Sequence, residues 1–315
     1  MPILSKPMVA AGLVLALGAP RLIAQAGVEL VDPAAAKLLS KDAAVQKLAG
    51  GLQFVEGPVW VDAPGGGYLV FSDIPANELK RWDAAGGLKT FRAPSGNTNG
   101  NAVDREGRLL HAEHSGRLAR TERDGTVTTV VDRADGNRLS SPNDVVVKSD
   151  GTIWFTDPSY GLAGRKQETP GNYVYRFDPT TSRITAVVRD TVMPNGLCFS
   201  PDEATLYVAD SGKPRHIRRF TVGRDGTLDQ GSVLATLDKG IPDGIRCDEH
   251  GNVWSSAGDG VQVFSAAGAL IARVLLPESA ANLAWGGPQG RTLFMTARTS
   301  LYSIETLVRA ASRPR

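Results

Sequence analysis

The chain has little net charge, few cysteines and, after its first 40 residues, almost no helical periodicity. Its 315 residues carry 35 Lys and Arg against 33 Asp and Glu, a formal charge of +2, and include 2 cysteines. A balance this close to neutral disfavours nucleic acid or an anionic membrane as the partner. The missing helical pattern, together with 35 glycines and 19 prolines, indicates a turn-rich all-β protein.

Two widespread catalytic and nucleotide-binding motifs are also missing. The sequence contains no Gly-x-Ser-x-Gly nucleophile motif and no glycine-rich phosphate loop. No set of residues indicates a nucleophilic triad. Any chemistry must therefore come from another kind of site.

A short pattern is written six times along the chain. A polar residue opens an apolar run, a turn follows, and a second apolar run ends in most copies at an acid, as in residues 140–157 (SSPNDVVVKSDGTIWFTD). Apolar β-branched runs around an Asp-Gly turn predict an antiparallel hairpin. The opening residues, 39 to 52 positions apart, are Glu56, Asn99, Asn143, Asn195, Asp243 and Asn282.

Each hairpin is followed by a third strand pattern and usually by a fourth. Units of about 40 to 50 residues with four short strands are typical of propeller blades, so the sequence predicts a six-bladed β-propeller. The sixth unit ends after its third strand. We expect residues 45–52, which precede the first unit, to supply the missing strand and close the ring, because closure removes an open sheet edge.

The N-terminus has the pattern of a secretory signal. A basic start, an apolar run over residues 8–19 and an Ala-x-Ala site ending at Ala26 predict a signal peptide over residues 1–26. The run is short for a membrane span; the alternative is a helix of the mature fold. We expect residues 27–43 to be a lead-in arm and 44–315 the propeller, in a secreted or periplasmic protein without membrane contact after cleavage. Cys198 and Cys247 are expected to be buried free thiols.

The opening residues are expected to meet at one mouth of the ring. In a hairpin the start of one strand lies beside the end of the next, so the closing acids Asp157 and Asp210 should lie there too. These two acids either support the opening residues from behind or cap turns, and we favour the first role. The longest connection on that face, residues 158–172, is a candidate lid or substrate loop.

The opening side chains carry oxygen, and two of them are carboxylates. Hard oxygen donors with a total charge of −2 suit Ca²⁺ or a similar divalent ion. Asn-Gly and Asp-Gly are also ordinary turn sequences, but Glu56, between Val55 and the Gly-Pro start of an apolar strand, has no turn role. The sequence therefore predicts a central metal site in the channel.

Four of the six motifs resemble the senescence marker protein/gluconolactonase (regucalcin-like) family. They are EGPVW at Glu56, SPNDVVVKSDGTIWFTDPSYG at Asn143, MPNGLCFSPDEATLYVADS at Asn195 and IPDGIRCDEHGNVWSS at Asp243. The resemblance implies a six-bladed propeller with one divalent metal ion in its channel, commonly Ca²⁺, with Zn²⁺, Mn²⁺ and Fe²⁺ as alternatives. It implies that these four residues are the metal ligands, whereas Asn99 and Asn282 line the channel.

The resemblance also implies a reaction, since many members hydrolyse sugar lactones. We expect a metal-dependent hydrolase of the gluconolactonase type with Asp243 as the base, or as a ligand only. The residues expected to contact the lactone are Asn99, Glu113, His114, Arg138 and Tyr160. For His114 and Tyr160 the alternative is a structural role. Some sugar-lactone members of the family have an arginine two residues before the third-blade asparagine, where it holds substrate hydroxyls, but this chain has Ser141 there. Arg138, five residues before Asn143, either reaches the mouth in its place or is solvated.

Two other functions remain open at the level of the sequence. The same metal site would serve an organophosphate or another ester. A non-catalytic secreted propeller that binds a partner is the third hypothesis, because a fold does not determine a function. A set of polar residues in one register at one mouth favours an enzyme.

Overall fold

The structure is a computed structural model that describes residues 26–311, and it confirms the six-bladed propeller. Before the first blade lie β1 (Gly27–Leu30), a 3-10 helix (Pro33–Lys37) and β2 (Gln46–Ala49). Residues 1–25 of the predicted signal peptide lie outside the described residues. Within residues 26–311 the chain has no helix that is long and apolar enough to cross a bilayer.

Each blade contains four antiparallel strands, and the first of them lies at the channel. Blade one contains β3 (Val55–Val61), β4 (Tyr68–Asp73), β5 (Glu78–Asp83) and β6 (Gly87–Arg92). Blade two contains β7 (Thr98–Val103), β8 (Leu109–Glu113), β9 (Arg117–Thr121) and β10 (Val127–Val131), and is followed by a small hairpin of β11 (Arg133–Ala134) and β12 (Asn137–Arg138). Blade three contains β13 (Val145–Val147), β14 (Ile153–Asp157), β15 (Tyr173–Asp178) and β16 (Arg183–Val188).

The second half of the ring repeats this arrangement. Blade four contains β17 (Pro194–Phe199), β18 (Thr205–Asp210), β19 (His216–Thr221) and β20 (Ser232–Thr236). Blade five contains β21 (Ile245–Cys247), β22 (Val253–Ala257), β23 (Gly260–Phe264) and β24 (Leu270–Leu275). Blade six contains β25 (Asn282–Gly286), β26 (Thr292–Ala297) and β27 (Ser300–Glu305).

The ring is closed by a strand from the other end of the propeller sequence. Strand β2 pairs antiparallel with β27 and is the fourth strand of blade six. This confirms the closing strand expected from within residues 45–52. This pairing covers the edge of β27 and gives the last blade four strands.

The arm before the propeller is also part of the sheet structure. Strand β1 pairs antiparallel with β24 and becomes a fifth, outermost strand of blade five. After it, Leu38 and Leu39 are fully buried in a cluster that contains Trp254 of blade five and Trp285 of blade six. The arm therefore covers the junction between these two blades.

Aromatic side chains fill the spaces between neighbouring blades. Trp254 and Trp285 meet edge to face at 5.1 Å between ring centroids. Trp60 of blade one stacks on Phe294 of blade six at 5.5 Å, across the closure of the ring. Such pairs contribute about 0.5–1.5 kcal/mol each beyond their buried area. Cys198 and Cys247 are buried and free, which confirms that expectation.

Candidate metal and substrate site

The six opening residues, which we call the ring residues, lie together at one end of the channel, which we call the mouth. Each stands within β3, β7, β17 or β25, or two residues before β13 or β21. These first strands contact one another in chain order, and β25 contacts β3, so the circle is complete. The ring residues are Glu56, Asn99, Asn143, Asn195, Asp243 and Asn282.

The close approach of neighbouring blades at the mouth requires glycine after most ring residues. Gly57 has φ +53°, and a Cβ atom there would lie 2.0 Å from the carbonyl oxygen of Asn99 in the next blade. At Gly196 a Cβ atom would lie 2.4 Å from the carbonyl oxygen of Asp243, and the Gly196 N–H donates to that oxygen at 3.0 Å. Glycine thus lets one blade's backbone hold the ring residue of the next.

Hydroxyl groups from the second strands fix the ring backbone further. Ser72 Oγ of blade one donates to the Asn99 carbonyl oxygen of blade two at 2.7 Å. Thr156 Oγ1 of blade three donates to the Asn195 carbonyl oxygen of blade four at 2.8 Å. These two bonds therefore fix the backbone of Asn99 and Asn195 relative to the neighbouring blade.

Two asparagine oxygens at the mouth are buried without a hydrogen-bond partner. Asn195 donates its amide nitrogen to Ser211 Oγ at 3.0 Å, and the amide nitrogen of Asn99 lies 3.3 Å from His114 Nε2. The Oδ1 atoms of both asparagines have no partner. A buried acceptor without a donor costs about 1–3 kcal/mol, and a cation would satisfy an oxygen in this position.

The two carboxylates of the ring are held in an environment that disfavours their charge. Burial raises the pKa of Glu56 to about 7, with the Gly57 N–H and Asn282 acting in the opposite direction and Asp144 adding repulsion. Burial likewise raises the pKa of Asp243 well above its usual range, and Glu56 and Asp144 repel it further. A divalent cation would remove this repulsion, so the residues present fit a metal ion.

The donor set favours a hard ion. Within residues 26–311 no three His, Cys, Asp or Glu side chains are grouped so that they could hold a metal. The mouth therefore depends on its asparagines as much as on its two acids. Amide and carboxylate oxygens are ligands typical of Ca²⁺, whereas tight zinc sites use nitrogen and sulfur.

His114 and Tyr160 form one wall of the mouth. Burial and the nearby Arg165 lower the pKa of His114 to about 4, so its ring is neutral at pH 7. Gly161 lies directly over that ring, since a Cβ atom there would be 2.2 Å from His114 Cγ. Burial raises the pKa of Tyr160, a hydrogen bond with Ser211 lowers it, and the charge of Asp243 raises it further. The half-exposed phenol of Tyr160 therefore lies close to the ring residues.

The candidate lid loop, residues 158–172, is tied to the blades beneath it. Ser141 Oγ donates to the Pro158 carbonyl oxygen at 2.6 Å and accepts from the Gly161 N–H at 2.9 Å. Arg165 Nη2 donates to the carbonyl oxygens of His114 and Ser140 at 2.8 and 2.6 Å. The described structure therefore shows this loop as a fixed wall of the mouth.

Glu113 and Arg138 have other partners. The Glu113 carboxylate is 1% exposed and pairs with Arg117 at 2.6 Å and Arg92 at 3.2 Å. Arg138 Nη2 donates to the Ser115 carbonyl oxygen at 2.6 Å. The Glu113 contacts join blade two to blade one through Arg92, and a role of Glu113 or Arg138 in binding the lactone stays a prediction.

The closing acids hold the backbone just before two ring residues, Asn143 and Asn195. Asp157 accepts from the N–H groups of Ser140 and Ser141 at 2.9 and 2.8 Å. Asp210 accepts from the N–H groups of Val192 and Met193, both at 2.8 Å. Each acid ends a second strand and satisfies the backbone that leads into the first strand of the same blade.

Sequence reasoning missed an ion pair beneath the ring. Arg246 Nη1 lies 3.0 Å from Asp144 Oδ2, and Asp144 is 1% exposed. On the far side of this pair the channel widens into a cavity of about 460 Å³, which we call the far cavity, with mainly apolar walls such as Val146 and Trp285. In the sequence, the one feature that points to this pair is a departure from the repeat: four blades have glycine at the position of Asp144.

Comparison with known proteins finds a family match and relatives over most of the chain. A family model described as the SMP-30/Gluconolactonase/LRE-like region matches residues 54–299. A gluconolactonase from Zymomonas mobilis is 30% identical over 85% of this chain and 83% of its own length. A pentonolactonase from Haloferax volcanii is 29% identical over 76% of this chain and 80% of its own. The structure of a gluconolactonase from Xanthomonas campestris superposes with a TM-score of 0.84, at 35% identity, over 89% of this chain and 95% of that one.

Proposed function

The chain belongs to the SMP-30/gluconolactonase/LRE-like family, and on that premise we propose that it hydrolyses a sugar lactone at a divalent cation, Ca²⁺, held in the mouth of the propeller. The observation that carries the proposal is the pairing of two buried carboxylates with two unpartnered amide oxygens at one end of the channel. The proposed ligands are Glu56, Asn143, Asn195 and Asp243. Of the two unpartnered oxygens, Asn195 Oδ1 belongs to a proposed ligand, and Asn99 Oδ1 is left for the substrate.

The ligand set leaves room for substrate. Ca²⁺ takes six to eight oxygens, so four protein ligands leave at least two positions open. When bound, the cation supplies Lewis acidity for the lactone carbonyl and for the negative charge that develops on its oxygen. The glycine contacts and hydroxyl bonds that fix the ring keep the ligand oxygens in place for this purpose.

Asp243 is the proposed base. Its pKa is raised by burial and by Glu56, so its carboxylate has more affinity for a proton than a solvated aspartate. A water molecule attacks the lactone carbonyl carbon and gives its proton to Asp243. The ring C–O bond then breaks, the leaving alkoxide takes up the proton that Asp243 received, and the product is the open-chain hydroxy acid.

Asn99, His114 and Tyr160 are the proposed contacts of the sugar. Asn99 Oδ1 is an unpartnered acceptor, which suits a substrate hydroxyl. His114 stays neutral because its pKa is about 4, so it holds Asn99 without adding a positive charge to the cation site. Tyr160 lies on the loop wall above the ring. A mouth lined with amides and a phenol suits a polyhydroxylated lactone better than an aliphatic one.

We also propose that the protein is exported. The support is the basic start, the apolar run over residues 8–19 and the Ala-x-Ala site ending at Ala26. N-terminal sequencing of the protein secreted from a cell that carries the full gene tests this, and we expect a new N-terminus at about residue 27.

The reaction is tested by hydrolysis of a small panel after chelation and after return of Ca²⁺, Mn²⁺ or Zn²⁺. The panel contains gluconolactone, a pentonolactone, an aliphatic lactone and an organophosphate. We expect hydrolysis of the sugar lactones that disappears with the chelator and returns with Ca²⁺. Turnover of the organophosphate alone would contradict the proposed substrate class, and undiminished turnover in chelator would contradict the role of the cation.

A further inference from the structure

One ion pair crosses the channel directly behind the proposed cation site. Arg246 of blade five reaches Asp144, which precedes the first strand of blade three, and blade four lies between them. Both Arg246 nitrogens face the carboxylate, with Nη1 at 3.0 Å from Oδ2 and Nη2 at 3.4 Å from Oδ1. The Ile245 carbonyl oxygen accepts a further bond from Nη1 at 2.7 Å. The pair separates the ring residues from the far cavity.

Both members depart from the register of the other blades. The residue after each ring residue is glycine in four blades and Leu283 in the sixth, but it is Asp144 in blade three. The residue three positions after each ring residue is uncharged everywhere except at Arg246; the other five are Val59, Ala102, Val146, Cys198 and Trp285. These five line the far cavity together with Arg246. Two charges thus occupy positions where the repeat otherwise has none.

The pair is placed so that it acts on the ring carboxylates. Asp144 follows Asn143 directly, and its Oδ1 atom would lie 2.9 Å from a Cβ atom on Gly100, the residue after Asn99. Arg246 stands three residues after Asp243 on the same strand segment. Without Arg246, three carboxylates would share one water-poor channel. With it, the ring and the pair together carry a charge of −2, which a divalent cation balances.

We propose that Arg246 and Asp144 are positioning residues that set the charge of the cation site by cancelling each other; this inference rests on the proposed function. The pair keeps the Asp144 carboxylate out of the ligand set and holds the backbone next to Asn143. It also limits the site to one divalent cation, because the third carboxylate that would attract further positive charge is already neutralised.

The test is calorimetric Ca²⁺ titration of the purified metal-free protein with matched variants. Arg246→Met leaves Asp144 unpaired and raises the local negative charge, so we expect Ca²⁺ to bind at least about tenfold more tightly. Asp144→Asn leaves Arg246 unpaired, so binding should weaken by a similar factor. The double variant removes both charges and should bind within about threefold of the wild type.

A distant arginine provides the control. The Arg273 side chain on β24 is 10% exposed, against 16% for Arg246, and it pairs with Asp238 at 2.6 Å and Asp259 at 2.7 Å, on the outer part of blade five. Arg273→Met should lower the melting temperature and leave the Ca²⁺ affinity unchanged. If Arg246→Met does not fold, Arg246→Gln replaces it, and Arg246→Lys, which keeps the charge, should bind like the wild type.

The outcomes separate this inference from the proposed function. Opposite shifts in the single variants with recovery in the double variant support it, whereas equal losses in both singles, or no shift in either, overturn it. If the wild type binds Ca²⁺ but hydrolyses no lactone, the proposed reaction fails and the affinities still decide the inference. If the wild type binds no divalent cation, both fail.

Discussion

Replacing Glu56 with glutamine is expected to stabilise the metal-free protein at neutral pH, although it removes a proposed ligand. The carboxyl has a pKa of about 7 in the folded protein and 4.5 as a free side chain, because burial disfavours its charge. Below pH 4.5 the group is protonated in both states and contributes nothing. As the pH rises from 4.5 to 7 the unfolded chain releases the proton first, so stability falls.

The magnitude follows from the difference of about 2.5 pKa units. At 1.36 kcal/mol per unit, the ionised Glu56 costs the metal-free protein on the order of 3 kcal/mol above pH 7. Glu56→Gln has no charge to bury and avoids this cost. For a chain of this length the gain corresponds to an increase of roughly 5 °C in melting temperature.

The assay is thermal unfolding in chelator and in excess Ca²⁺, at pH 4.5 and pH 8. In chelator at pH 8 Glu56→Gln should melt above the wild type, and the two should converge at pH 4.5. Ca²⁺ at 100 times its Kd should stabilise the wild type by about 2.7 kcal/mol and the variant by much less. A variant that melts below the wild type in chelator at pH 8 would refute the reasoning.

Three further predictions concern the ring, the wall and the closure. Gly57→Ala places a Cβ atom 2.0 Å from the Asn99 carbonyl oxygen at φ +53°, so the protein should lose several kcal/mol of stability and all Ca²⁺ binding. Unfolding measures the first loss and calorimetry the second. Gly65→Ala is the control: Gly65 has a positive φ but lies in open space, so this variant should keep Ca²⁺ binding. Because the pKa of His114 falls to about 4 in the folded protein, His114→Asn should remove a loss of stability that the wild type shows as the pH falls from 6.5 to 4; an unchanged slope would contradict this. A chain that begins at Gln53 lacks β2 and exposes the edge of β27, so it should self-associate in light scattering, and a monodisperse monomer would contradict the role of the closing strand.

The repeat made most of the fold predictable. Six openings at intervals of 39 to 52 residues fixed the number of blades, and the missing fourth strand after residue 305 pointed to a strand near residue 45. The fifth strand of blade five was not predictable, because β1 (Gly27–Leu30) lies outside the repeat and has no hairpin partner next to it in sequence. Its place depends on the outer edge of β24, which pattern analysis does not reveal.

The candidate site residues that follow the repeat were predictable from the sequence, and those that depart from it were not. The register of the opening residues was enough to bring all six to one mouth, and the family resemblance singled out Glu56, Asn143, Asn195 and Asp243 as ligands. The partners of Glu113 were not visible, because two arginines, one 21 residues before it, take its carboxylate. The Asp144–Arg246 pair joins residues 102 positions apart, and periodicity predicts only that both depart from the pattern.

The central claim is that the mouth binds one divalent cation on which lactone hydrolysis depends. The most direct test is to titrate Ca²⁺ into chelated protein while gluconolactone hydrolysis is followed by acid release in the same sample. We predict that activity rises in proportion to bound Ca²⁺ and reaches its plateau at one ion per chain. Full activity in chelated protein, or a plateau of binding without any hydrolysis, would contradict the account.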